Sequence, residues 1–77
     1  MSIGERVKEA RKKTGKTQKE LAEIMGVRQK DVSRWENDVK TPTVTTTISL
    51  CKALNVSADY ILGLTEYKKI NVSEVRK

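Results

Sequence analysis

Histidine and phenylalanine are absent from the 77-residue chain, and cysteine, proline and tryptophan each occur once. Each gap closes off a class of protein. The single cysteine, Cys51, cannot form an internal disulfide. Without histidine, a zinc site would have to be assembled from carboxylates. No metal or other cofactor is expected. The chain also offers no glycine-rich loop to cradle a phosphate and no nucleophile paired with a base, so an enzyme is the weakest reading. No apolar run approaches the roughly 20 residues that cross a bilayer. The opening stretch, MSIGERVKEARKK, reaches Glu5 without the apolar segment of a signal peptide. The expectation is a reduced, cytoplasmic protein with no membrane partner.

A chain of this length makes one domain, and such a domain buries only about 60 % of its unfolded surface. With aromatics limited to Trp35, Tyr60 and Tyr67, its core should be aliphatic. What the chain has in excess is positive charge. Sixteen Lys and Arg stand against ten Asp and Glu, a net charge of +6. Residues 5–40 hold eleven of the bases and seven of the acids. That balance favours a polyanion, nucleic acid before an acidic membrane surface. The lysines near the N-terminus are interleaved with Glu5 and Glu9 and read first as a solvated face.

Five short helices account for most of the chain, and no stretch reads as a strand. Ser2-Ile3-Gly4-Glu5 and Thr17-Gln18-Lys19-Glu20 are both capping boxes, each opening a helix. The first helix turns Ile3, Val7 and Ala10 inward and ends at Gly15. The second turns Leu21, Ala22 and Met25 inward and ends at Gly26. A third runs from about Gln29 to Asn37. Thr43 caps a fourth, whose apolar stripe is Val44, Ile48, Cys51 and Leu54, with Asn55 at its end. Ser57 caps a short fifth that stops at Gly63. The tail from Leu64 to Lys77 follows neither a helical nor a strand period.

The third helix has an unusual surface. Val32 and Trp35 can face a core, while Gln29, Lys30, Ser33, Arg34 and Asn37 gather on the other side. That side is rich in long donors and carries no carboxylate. Only Gly26, Val27 and Arg28 separate it from the second helix, a break short enough to turn the chain sharply.

These features together resemble the phage repressor/Cro family of DNA-binding domains. The resemblance rests on TQKELAEIMGVRQKDVSRWEN, with IGERVKEARKKTGK before it and ALNVSADYILG after it, and covers roughly residues 3–63. It implies an all-α, lambda-repressor-like helix-turn-helix domain over residues 1–63, followed by a C-terminal tail, residues 64–77. By the same resemblance the third helix enters the major groove. Gln29, Lys30, Ser33 and Arg34 would touch base edges, a role their donors suit. Gln18 would bond a phosphate and brace the third helix, Asn37 and Lys40 would touch further phosphates, and Arg11 would pair with Glu36.

Three residues depart from the family pattern. Arg28 stands where Ser or Thr normally caps the third helix, which forfeits about 1 kcal/mol. Asp31 replaces a small hydroxyl residue, and Asp38 replaces the usual glycine. The function implied is a small transcription regulator, most simply a repressor, acting on double-stranded DNA. A protein-interaction module such as an antitoxin, with a toxin as partner, is the alternative. One short helix reads too few base pairs for genomic discrimination, so a homodimer on a palindromic site is expected. Ile61, Leu64, Tyr67 and Ile70 are its expected apolar surface.

Overall fold

A computed structural model describes residues 1–64 as five α-helices with no strand among them. They are α1 (Ile3–Lys13), α2 (Gln18–Met25), α3 (Gln29–Glu36), α4 (Val44–Leu54) and α5 (Ala58–Ile61). None is long and apolar enough to cross a membrane. The expected dimer residues Tyr67 and Ile70, with the rest of the tail beyond Leu64, lie outside the described residues.

Local signals set the helix ends. Ser2 and Thr17 each accept from the backbone N–H three residues on, at 3.0 Å. Glu5 and Glu20 reciprocate at 2.8 Å by accepting from the cap residues' own N–H groups. Those bonds to Ser2 and to Thr17 hold both carboxyls below the ordinary value of 4.5. At α3 the cap acceptor is missing, and only the reciprocal bond is made, Asp31 accepting from the Arg28 backbone N–H at 3.4 Å. Gly26 ends α2 at φ 71°, and the Val27 N–H donating to Ala22 O at 3.0 Å completes the turn into α3. Asn55 (φ 56°) ends α4 in the same left-handed conformation.

The core joins Val7 and Ala10 of α1, Leu21 and Ala22 of α2, and Val32 and Trp35 of α3. Leu50, Cys51 and Leu54 of α4, with Val56, Tyr60 and Ile61, complete it. Two expectations need correction here. The core is not purely aliphatic, because Tyr60 is its largest fully buried side chain, and Trp35 is buried in the same core as expected. The buried face of α4 is Thr47, Leu50, Cys51 and Leu54, whereas Val44 and Ile48 are 79 % and 50 % exposed. At 100° per residue this face is turned roughly 50° from the expected stripe. Thr47 can occupy it because its hydroxyl donates to Thr43 O at 2.8 Å. Burial also pushes the Cys51 thiol up, as suits a packing residue.

The start of α1 lies directly against the end of α3. A Cβ on Gly4 would collide with Trp35 O and come within 2.7 Å of Glu36 O. Asp38 closes this junction in the left-handed conformation (φ 59°). Its carboxylate accepts from Gly4 N at 2.9 Å and Ser2 Oγ at 2.6 Å. A glycine would satisfy the backbone there but would leave those two donors without the acid.

Gly4→Ala should destabilise the domain by about 1–3 kcal/mol, despite alanine's better helix propensity, because two carbonyls block the methyl. Urea unfolding of the two proteins measures the difference. Acid should act through the capping boxes. The lowered values of Glu5 and Glu20 stabilise the fold above about pH 4.5, and that contribution is lost as pH falls through them. Melting temperatures followed from about pH 6 to about pH 3 should fall less steeply for Glu5→Gln/Glu20→Gln than for the parent, since glutamine keeps the bonds without titrating.

Candidate nucleic-acid interface

The outer side of α3 is held clear of the domain by its inner one. Val32 and Trp35 are buried in the core, and Glu36, the last residue of the helix, is 4 % exposed. Gln29, Lys30, Arg34 and Asn37 are exposed and Ser33 is half-buried. The Asn37 amide donates to Ser33 Oγ at 3.3 Å, which ties two of the polar groups together. Among the described residues the side chains of Gln29, Lys30 and Arg34 make no hydrogen bond or ion pair. Their donors face outward and are unspent.

The carboxylates of this region are all engaged within the protein. Glu36 is gripped by Arg11, whose Nε and Nη2 donate to its two oxygens at 2.6 and 3.1 Å. The Gln18 amide donates to Glu36 Oε1 at 3.0 Å. Arg11 also donates to Lys16 O at 2.8 Å, so one arginine ties α1, the α1–α2 loop and α3. Asp38 is turned toward the start of α1. Burial alone would push the Asp31 carboxyl up, but the Arg28 N–H and the Arg28 and Arg34 charges hold it below the ordinary value. The face therefore presents donors without competing acids.

The residues expected to touch phosphate occupy two flanks. Gln18 is half-buried at the first position of α2, with one amide hydrogen given to Glu36. Asn37 and Lys40 are exposed at the other end, where Val39 N and Lys40 N both donate to Arg34 O, at 2.9 and 3.3 Å. Ile61, expected on the dimer surface, is instead fully buried. It turns inward beside Tyr60, leaving Leu62 and Leu64 as the exposed apolar residues there. Two partnerships were not read from sequence: Asp31 with Arg28, and Asp38 with Ser2 and Gly4. A glycine in the first turn of a helix was the available signal for the second.

A helix-turn-helix family model matches residues 7–61, most of the chain and all of α2 and α3. The chain belongs to the Cro/C1-type helix-turn-helix family. This Cro/C1-type domain is 43 % identical over 75 residues to the HTH-type transcriptional regulator ImmR of Bacillus subtilis, covering 97 % of this chain and 59 % of ImmR. It spans little more than half of that relative's length. Among solved structures, it superposes with a TM-score of 0.79 on the P22 c2 repressor in complex with a synthetic operator. Identity there is 34 %, covering 84 % of this chain and 98 % of the other. The biofilm regulator SinR in complex with DNA gives 0.72 at 33 % identity, covering 77 % and 95 %.

In this Cro/C1-type domain, Arg11→Met or Glu36→Met alone should cost about 3–5 kcal/mol, because each strands a buried charge. The double variant should lie nearer the parent than the sum of the two. Denaturation of all four proteins closes the cycle, and strict additivity would reject the coupling.

Proposed function

We propose that the chain is a transcription regulator, of repressor type, that binds double-stranded DNA sequence-specifically by placing α3 in the major groove. The observation that carries this reading is the donor face of α3, whose nearby carboxylates are all spent inside the protein. A groove walled by phosphates and lined with base acceptors suits such a face. Gln29 can bond adenine bidentately, Lys30 and Arg34 can address guanine, and Ser33 can bond either. Gln18 and the pair Asn37 and Lys40 then hold the backbone on either side and set the register. That the P22 c2 repressor and SinR have been solved in complex with DNA supports DNA as the partner.

The regulator acts as a homodimer, each copy reading one half of a palindromic operator through its own α3. Two copies related by a twofold axis read half-sites roughly 10 base pairs apart on one side of the duplex. Leu62 and Leu64, exposed after the recognition unit, supply apolar surface for pairing without obstructing α3.

Selection from random duplexes should enrich a palindrome with that spacing. On the selected site, Lys30→Ala and Arg34→Ala should each cost about 1–3 kcal/mol of binding, with melting nearly unchanged. Equal affinity of both variants and the parent for the site would overturn the assignment of α3.

A further inference from the structure

Arg28 occupies the cap position of α3 yet has no acceptor to give the helix. Asp31 supplies only the reciprocal half of a cap, accepting from the cap residue itself, and holds the arginine as well. Its Oδ2 accepts from the Arg28 backbone N–H and lies 3.5 Å from Nε. Only Nε of the guanidinium is engaged, and the two terminal amino groups have no partner among the described residues. The side chain is 69 % exposed. The other arginines among the described residues divide clearly. Arg6 and Arg11 are buried, and Arg34 is exposed on the donor face.

Position selects the ligand. At 100° per residue, Asp31 lies about 60° beyond Arg34, past the edge of the face formed by Gln29, Lys30, Ser33 and Arg34. A guanidinium tethered there stands over the flank of the helix, not over its middle. When a helix lies in the major groove, base edges face its middle and a strand's phosphates run along its flank. We propose that Arg28 is a DNA phosphate contact, held at the flank of α3 by Asp31. The inference rests on the reading that α3 enters the groove. It also explains how an acid is tolerated beside that face. The Asp31 charge is offset by the guanidinium that bridges it to the phosphate, with Nε on one side and the terminal amino groups on the other.

The test uses the full chain with two duplexes, the selected operator and a random sequence of equal length. Arg28→Ala should weaken binding to both by a similar factor, roughly three- to tenfold. It should also reduce the slope of log affinity against log salt by about 0.9, the share of one phosphate. Arg28→Lys should restore the slope. Melting should not move, since the side chain makes no cap bond. Unchanged affinity and slope in Arg28→Ala would overturn the proposal. A loss confined to the operator would overturn it too, by making Arg28 a base reader. Failure of the parent to select any duplex would instead remove the groove reading on which the proposal stands.

Discussion

The grip of Arg11 on Glu36 joins the pieces that give this small domain its shape. The two side chains come from α1 and from the last turn of α3, and both are nearly withdrawn from water. Gln18, from the first turn of α2, completes the group. Three helices thus converge on one carboxylate. Desolvating two charges is costly, so such a bridge adds less stability than its short distances suggest. We read its value as one of alignment. The apolar contacts of Val32 and Trp35 leave some freedom of rotation, whereas a two-pronged guanidinium accepts a carboxylate in few orientations.

A second junction secures the same end of the helix. Asp38 is a left-handed terminator for α3 and an acid for the start of α1, where unpaired N–H groups and the helix dipole favour negative charge. Gly4 lets the two backbones approach until no side chain fits between them. The end of α3 is therefore held by α1 at two places, Glu36 and Asp38, two residues apart. Asn37, placed between them, and Lys40, just after them, inherit a fixed position from these anchors.

The helices were legible in the sequence because their ends carry explicit chemistry. The capping boxes at Ser2 and Thr17, Gly26, Thr43, Asn55 and Ser57 each state where a helix starts or stops. The orientation of α4 was not legible. Its apolar residues can form two overlapping stripes, and a buried threonine that bonds its own backbone resolves them only in three dimensions. Ile61 was misplaced for a related reason. A helix of four residues is barely more than one turn, so no periodicity exists to mark which of its sides faces the core. The donor face of α3 could be read from spacing alone, since Trp35 marks the opposite side. The partners of Asp31 and Asp38 could not, because one depends on a rotamer and the other on a contact across 34 residues.

The disposition of the acids also gives the charge balance its meaning. A surplus of six positive charges spread evenly would attract any polyanion weakly and confer no orientation. Here Glu5 and Glu20 are bound to helix starts, Glu36 is buried, and Asp31 and Asp38 are bonded within the frame. The bases Lys30, Arg34 and Lys40 remain exposed on and beside one helix. Placement of the negative groups thus converts a bulk excess into a directed face. The same bonds that stabilise the helix ends determine which charges a partner meets. A carboxylate released from its internal donor would weaken the frame and, at once, set an acid beside the donors of α3.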